Sequence, residues 1–282
     1  MLRLPLFLEH YRLLGVDAFF FVVNSSTDGT EHYLLDQPDT YVFKTDESYK
    51  SNKSGIRWTQ ALTREYGLGK WCIFVDADEF LTYPNETLTV KQLCSFLETE
   101  RASGIGTMLL DMYADGFPIF KNDKQLSETF PYFDKFPSIY YLPYETQAGK
   151  SAMVGGVRRR VFNMNVNLNK FALIRASLAN DFSPGMHFVS NVDLSAVSGA
   201  LFHYKYDSEF PTRVQEEAAR EQHWNNSEEY KTYAKAFEAY SGLSLFHPDY
   251  SVRYINNSQL IDVSIMRSTV EFDQYASNAL GH

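Results

Sequence analysis

Short apolar runs alternate with amphipathic stretches through the first 112 residues. The spacing of the apolar positions predicts helices over residues 6–14, 54–66 and 90–101. Continuous apolar runs bounded by turn residues predict buried strands over residues 18–23, 40–44, 71–75 and 106–112. A polar loop opens a further helix at about Thr30. This β-α-β order predicts an α/β fold in which ligands bind at the carboxyl ends of the strands.

The pattern loosens after residue 112. Residues 115–149 are rich in Phe, Tyr and Pro, which is typical of a lid or binding loop. Further strands are expected over 155–162 and 200–206, and one or two amphipathic helices over 209–240. We interpret residues 1–240 as one α/β domain and residues 241–282 as a C-terminal extension.

Charge and hydropathy narrow the class of partner. The net charge of −9 argues against nucleic acid, because phosphate binding needs a basic face. No apolar run approaches the roughly 18 residues of a membrane span, so we expect no transmembrane segment. Cys72 and Cys94 lack metal-ligand spacing, which indicates a reducing compartment. With no export signal evident, we expect a cytoplasmic protein, and attachment to the inner face of a membrane stays open.

Three carboxylates in four residues directly follow a buried strand, at Asp76, Asp78 and Glu79. Like charges this close repel one another unless a cation neutralises them. Mg²⁺ or Mn²⁺ suits oxygen ligands of this kind, and either ion would also hold a diphosphate. Asp76 and Asp78 point the same way on an extended backbone. An isolated D-x-D tripeptide is often only a solvated turn, but the preceding strand favours a functional site here.

Two segments, one of which contains these carboxylates, are similar to sequence motifs of a known family. Phe19 through Thr30 (FFFVVNSSTDGT), followed later by Trp71 through Phe80 (WCIFVDADEF), resembles the family 2 glycosyltransferases, in the branch with StDGT and DADEF motifs. Residues 155–162 (GGVRRRVF) and 201–206 (LFHYKY) resemble later motifs of that branch. The resemblance covers roughly residues 6–237.

The resemblance implies a GT-A fold, a Rossmann-like mixed sheet with flanking helices. It also implies transfer of a sugar from a nucleotide-sugar donor to a glycan or lipid-linked acceptor. By the same resemblance, Asn24 and Asp28 contact the nucleoside, and Arg57 lies close to the donor. Asp76 occupies the first position of the D-x-D motif, where it contacts the donor or the metal. Oligomeric state is left open.

The metal site implied by the resemblance holds Mn²⁺ or Mg²⁺. Its expected ligands are Asp76 and Asp78. Enzymes of this fold often add a late histidine to the metal, and His203 is the first candidate here, with His187 the second. A histidine that is merely hydrogen-bonded on a strand is the simpler alternative for His203.

The acceptor side is less defined. Candidates for the base that removes the acceptor proton are Asp111, which follows the strand after the D-x-D element, and the alternatives Asp115 and Asp193. Arg158 and Arg160 alternate on the strand expected over 155–162, so they would share one face. With Lys170 they could bind an anionic acceptor or the departing phosphate, or they are ordinary surface charges.

One departure from the family concerns the amino terminus. Relatives normally begin with a strand that ends in an Asn-Glu pair, so we expect the first strand of the fold to be absent here. That expectation keeps open a non-catalytic glycosyltransferase-like binding protein. A metal-dependent nucleotidyltransferase is the other alternative, since paired carboxylates serve that chemistry too. Such an enzyme would usually carry a glycine-rich basic loop, which the loop at Asn24 lacks.

Overall fold

Strands form where the sequence carries its apolar runs. The structure, a computed structural model, describes residues 3–120, 126–145, 151–221, 224–240 and 242–281. Parts of the expected lid, at 121–125 and 146–149, lie outside the described residues. The strands are β1 (Phe19–Asn24), β2 (Thr40–Thr45), β3 (Trp71–Ile73), β4 (Glu79–Thr82), β5 (Gly104–Asp111), β6 (Tyr132–Asp134), β7 (Leu142–Glu145), β8 (Ser151–Val154), β9 (Asn169–Arg175), β10 (Gly199–His203) and β11 (Ser251–Arg253).

Helices flank these strands. They are α1 (Leu4–Leu13), α2 (Thr30–Leu35), α3 (Ile56–Leu62), α4 (Val90–Thr99), α5 (Leu126–Thr129), α6 (Gly156–Phe162), α7 (Phe210–Arg220), α8 (Trp224–Ala239), α9 (Asn257–Asp262) and α10 (Val270–Leu280). A π-helical turn (Thr63–Gly67) continues α3. The expected α/β class, with a mixed sheet and flanking helices, is therefore confirmed. Among the described residues, no helix has both the length and the apolar character to cross a membrane.

The main sheet has five strands in the order β3-β9-β5-β10-β4. β10 runs parallel to β5, whereas β9 is antiparallel to both β3 and β5. β4 lies at one edge and pairs antiparallel with β10. The sheet therefore mixes both directions, and the carboxyl ends of β5 and β10 meet the start of β4.

A second, two-stranded sheet precedes the main one. β1 and β2 pair in parallel, from Phe19 opposite Thr40 to Asn24 opposite Thr45. One face of β1 packs on α1, where the Phe21 ring lies 6.0 Å from the ring of Phe7. The Phe7 ring also lies 6.1 Å from the ring of Phe80 in β4, so α1 packs against both sheets.

The prediction of a strand over residues 155–162 is wrong, because residues 156–162 form α6. Gly155 has φ +155°, and a Cβ there would lie 2.5 Å from the carbonyl oxygen of Tyr140, so only glycine fits this turn. Beyond it, Val157 and Val161 are four residues apart, which is the spacing of one helix face.

The segment after residue 240 contributes to the main hydrophobic core. β11 pairs antiparallel with β6, and the ring of Phe272 in α10 packs edge-on against Phe96 of α4 at 5.0 Å. Leu260 and Phe272 are fully buried in that core. The C-terminal residues thus help to hold α4 and β6 against the sheet.

Helix α1 is joined to β4 by a buried tyrosine. The Tyr11 hydroxyl donates to the carbonyl oxygen of Glu79 at 2.9 Å and accepts from the amide of Leu81 at 3.0 Å. Tyr11 is only 1% exposed. Because β4 is an edge strand, this hydroxyl satisfies two backbone groups that have no strand partner on that side.

We predict that Tyr11→Phe lowers the free energy of unfolding by about 1–3 kcal/mol, because it leaves two buried backbone groups without a partner. Urea denaturation followed by circular dichroism measures the change. Tyr41→Phe is the matched control: Tyr41 is 54% exposed, and its loss should change stability by less than about 0.5 kcal/mol. Equal effects of the two substitutions would contradict this role for Tyr11.

Candidate active site

Strand register brings three titratable residues side by side. His203, at the end of β10, lies opposite Asp111 of β5 on one side and opposite Glu79 of β4 on the other. Paired residues on neighbouring strands point to the same face of a sheet. The turn that carries Asp76, Asp78 and Glu79, here called the carboxylate turn, therefore meets His203 at one end of the sheet. Asp78 and His203 are 125 positions apart in sequence.

Asp78 and His203 face one another. The Asp78 Oδ2 lies 3.4 Å from the His203 Nε2, and the Asp78 side chain is 25% exposed. Burial alone would raise the pKa of Asp78, but the adjacent positive charges of His203, Arg3 and Lys205 outweigh it and hold that pKa well below its usual value. The Asp78 carboxylate is therefore charged and reachable from solvent.

The other nitrogen of His203 is held by a buried ion pair. Arg158 of α6 donates from Nε and Nη2 to the two oxygens of Asp111, at 2.7 and 2.8 Å. The His203 Nδ1 lies 2.6 Å from the Asp111 Oδ1. The Arg158 Nη2 also lies 2.8 Å from this nitrogen, but it donates to Asp111. The raised pKa of His203 favours the imidazolium, in which Nδ1 carries a proton that it donates to the Asp111 carboxylate. This fixes the ring with Nε2 directed at Asp78.

The charges of this group support one another. Burial disfavours the charged forms of Asp111 and His203. For Asp111, Arg158 and His203 overcome that effect and lower its pKa far below the usual value. For His203, Asp78 and Asp111 overcome it and raise the pKa. The geometry therefore favours a supporting role for Asp111 over the catalytic base that the sequence suggested, because both its oxygens are engaged.

Lys170 neutralises the remaining carboxylates of the turn. Its Nζ lies 2.7 Å from the Glu79 Oε1 and 3.8 Å from the Asp76 Oδ2. Lys170 and Glu79 are nearly fully buried, whereas the Asp76 side chain is 74% exposed. Glu79 also accepts a hydrogen bond from the amide of Asp76 at 3.1 Å. The buried contacts of Glu79 thus hold the turn in place, and the Asp76 carboxylate faces solvent.

A polar cavity of about 640 Å³ lies at the carboxyl ends of β1 and β2. It is lined by the loop after β1, by the residues after β2 and by α7: Asn24, Ser25, Ser26, Thr27, Asp28, Asp46, Glu47, Ser48, Tyr49, Glu216 and Arg220. Asp76 is close enough to add to the effect of burial in raising the pKa of Tyr49. The cavity and the carboxylate turn are therefore neighbours.

Both residues expected at the nucleoside line this cavity. Asn24 donates from Nδ2 to the carbonyl oxygens of Thr45 and Glu47, at 3.0 and 2.9 Å, and so ties the two loops together. Asp28 accepts from the amide of Thr30 at 3.2 Å, and hydrogen bonding to Thr30 lowers its pKa to about 2. Asn24 shapes the cavity, and Asp28 places a charged carboxylate on its rim.

Two basic residues predicted to act together lie apart. Two residues on a helix are about 200° apart around its axis, so Arg158 and Arg160 of α6 cannot share a face. Arg160 binds Asp134 at 2.7 Å and the carbonyl oxygen of Leu245 at 2.6 Å, away from the carboxylate turn. The prediction that these two arginines share one face is therefore wrong. Arg57 is exposed on α3 and is not among the residues that line the cavity.

Sequence reasoning missed two residues of this group, Glu229 of α8 and Lys205, which follows β10. Glu229 lies 3.0 Å from the Lys205 Nζ and 3.6 Å from the Arg158 Nη1. Burial opposes the charge of Glu229, but Lys205 and Arg158 lower its pKa to about 2. Lys205 also lies 4.8 Å from the centre of the Tyr233 ring. Its position two residues after His203 was the only available signal.

Asp78 and His203 have the ligand atoms that a divalent cation uses. Within the described ranges, no three His, Cys, Asp or Glu side chains converge as a preformed metal cage. Mg²⁺ and Mn²⁺ seldom use such cages with phosphate ligands, since one or two protein ligands, water and phosphate oxygens complete their shells. Asp78 and His203 supply two, and the Asp111 bond to Nδ1 is the usual outer support of a metal-binding histidine. These residues therefore fit.

Comparison of the chain with protein-family models, with curated protein sequences and with solved structures gave no match. The site is defined by its own geometry. It consists of the partly exposed Asp78–His203 pair, the turn that carries Asp76 and the polar cavity at the ends of β1 and β2.

We predict that Arg158→Met lowers the free energy of unfolding by about 3–5 kcal/mol, because it leaves the Asp111 charge buried and unpaired. Arg159→Met is the matched control, because Arg159 is the next residue in the chain and its guanidinium binds Asn165 at the surface. The double variant with Asp111→Leu should recover part of the loss. Urea denaturation of the wild type, Arg158→Met, Asp111→Leu and the double variant measures the coupling between the two residues. An additive double variant would contradict a direct pair.

Proposed function

We propose that this protein is a metal-dependent glycosyltransferase with a GT-A type of fold, which uses a nucleotide-diphosphate sugar as donor. The observation that carries the proposal is the Asp78–His203 pair, which lies at the sheet end beside the polar cavity. The α/β sheet and the resemblance of the FFFVVNSSTDGT and WCIFVDADEF segments support it. The acceptor is a glycan or lipid-linked hydroxyl compound.

In this proposal Asp78 and His203 hold the cation, and Asp76 lies beside it toward the donor. The bound cation supplies charge stabilisation for the departing diphosphate. Mn²⁺ is the first ion to test, because imidazole nitrogen is a poorer ligand for Mg²⁺. Asp111 and Arg158 keep the His203 ring oriented, and Lys170 keeps the turn folded while two carboxylates stay close together.

The donor nucleoside occupies the cavity at the ends of β1 and β2. The Asp28 carboxylate accepts hydrogen bonds from a ribose or a base, and Tyr49 offers an aromatic ring. Asp76 is close enough to affect the pKa of Tyr49, so a diphosphate that extends from the cavity toward Asp76 would point toward the cation. A volume of about 640 Å³ is in the range of small-molecule sites.

A nucleotidyltransferase would use the same cation and a similar cavity. The two activities differ in the substrate consumed, because a nucleotidyltransferase releases pyrophosphate from a nucleoside triphosphate. A glycosyltransferase releases a nucleoside diphosphate from a sugar nucleotide. The absence of a glycine-rich basic loop after β1 favours the glycosyltransferase.

We predict that UDP or GDP binds the purified protein only when Mn²⁺ is present. Asp78→Ala should weaken that binding by at least about a hundredfold, since it removes one of two protein ligands and leaves His203 without its partner. Isothermal titration calorimetry measures the affinities. Asp36→Ala, at an exposed surface site, is the control and should bind as the wild type does.

Two outcomes would count against the proposed function. Binding of neither nucleotide by folded wild-type protein would leave the cavity without its proposed ligand. Binding that is equal with and without Mn²⁺, and equal in Asp78→Ala, would remove the cation from the site. The nucleotide that does bind identifies the base.

The affinity for Mn²⁺ should also depend on pH. Asp78 and Asp111 raise the pKa of His203, so a proton occupies Nε2 until the pH exceeds that value, and the cation must displace it. The apparent affinity should therefore rise by up to about tenfold per pH unit below the His203 pKa and level off above it. Titrations from pH 5.5 to 8.5 test this. A flat profile would exclude His203 as a ligand.

A further inference from the structure

A second histidine lies near the carboxylate turn without any part in the cation site. His187 follows a tight turn (Pro184–Met186) and is half-buried. Its Nδ1 lies 2.8 Å from the carbonyl oxygen of Asn169, the residue before Lys170. A carbonyl can only accept, so Nδ1 carries the proton and Nε2 is left with its lone pair.

The Nε2 of His187 has no hydrogen-bond partner among the described residues. It keeps some exposed surface, because it is not one of the fully buried polar atoms. The charged groups that face the ring are Lys170 of β9, Arg158 of α6 and Asp76 of the turn. Burial and the two positive charges lower the pKa of His187 to about 4, so the ring is neutral at physiological pH.

The turn that carries His187 is built around the ring. Gly185 has φ +66°, and a Cβ at this position would lie 2.9 Å from both Cδ2 and Nε2 of His187. Met186, which is buried, also has a left-handed φ of +55°. Such backbone conformations are costly for a residue with a side chain and persist only where the surroundings impose them. The position of the imidazole is therefore specified by the fold.

The two histidines approach the carboxylate turn through different partners. His203 faces Asp78 directly. His187 instead donates to the carbonyl oxygen of Asn169, and the next residue, Lys170, contacts Asp76 and Glu79. An orienting hydrogen bond on one nitrogen and a free lone pair on the other is the arrangement of a general base. His203 lacks that freedom because Asp78 occupies its Nε2 side.

We propose that His187 is the catalytic base that takes the proton of the acceptor hydroxyl, an assignment that rests on the proposed glycosyltransferase function. The hydroxyl oxygen forms a bond to the anomeric carbon of the donor sugar. The bond from that carbon to the diphosphate oxygen breaks and leaves its electron pair on that oxygen. The hydroxyl proton moves to the His187 Nε2 and then to solvent. Direct displacement of this kind inverts the anomeric centre.

His187→Asn tests the assignment, because the asparagine amide can keep the donor to the Asn169 carbonyl while the base is lost. The release of UDP from UDP-glucose and of GDP from GDP-mannose is measured with Mn²⁺ and with water as the acceptor. We expect release to fall by at least about a hundredfold. Binding of UDP and GDP with Mn²⁺ should stay within threefold of the wild type. His32→Asn, at an exposed site, is the control and should change neither.

His187→Ala provides a second variant. Free imidazole at millimolar concentration should restore part of its release rate, which a purely structural role would not allow. Release from His187→Asn within threefold of the wild-type rate overturns the assignment. Loss of Mn²⁺-dependent nucleotide binding in His187→Asn also overturns it, because His187 would then be a ligand or a structural support.

Two further results are decisive when turnover is low. If the wild type binds neither nucleotide, the proposed function fails and the assignment fails with it. If it binds nucleotide but releases none from either donor, ¹⁵N spectra of the imidazole ring decide the question. A neutral ring at pH 7, protonated at Nδ1 only, supports the base, and a proton on Nε2 excludes it.

Discussion

The buried pair between Asp111 and Arg158 is the interaction on which the rest of the site depends. It joins the end of β5 to α6, and it fixes the ring of His203 at the end of β10. Both partners are less than about a tenth exposed, so neither charge is stable without the other. Removing Asp111 would take away the acceptor of the His203 Nδ1 and leave the ring free to turn away from Asp78.

Balanced charge explains how so many carboxylates share one sheet end. Lys170 and His203 neutralise Glu79 and Asp78 from within the sheet, while Asp76 stays exposed. In the proposed function, a cation bound by Asp78 and His203 would replace a proton rather than fill a site of bare negative charge. The protein can therefore hold the turn in one conformation before any ligand binds, which lowers the cost of binding.

Local signals in the sequence predicted most of the first half of the fold and the position of the carboxylate turn. Apolar runs and turn residues are read over five to ten positions, and β1, β3 and β5 formed where they indicated. The pairing of Arg158 with Asp111 joins residues 47 positions apart, so no local pattern could reveal it. The prediction of a strand over residues 155–162 failed for a related reason, since the backbone at Gly155 is determined by its contact with Tyr140.

Helices α7 and α8 contact residues beside both the two-stranded sheet and the main sheet. Glu216 and Arg220 of α7 line the cavity beyond β1 and β2, whereas Glu229 of α8 binds Lys205 and approaches Arg158 beside the main sheet. The two helices pack on each other through the aromatic pair Phe210 and Tyr233. A ligand that bridges the cavity and the Asp78–His203 pair would therefore contact elements already held in register, and any change in that helix packing would alter both halves of the site together.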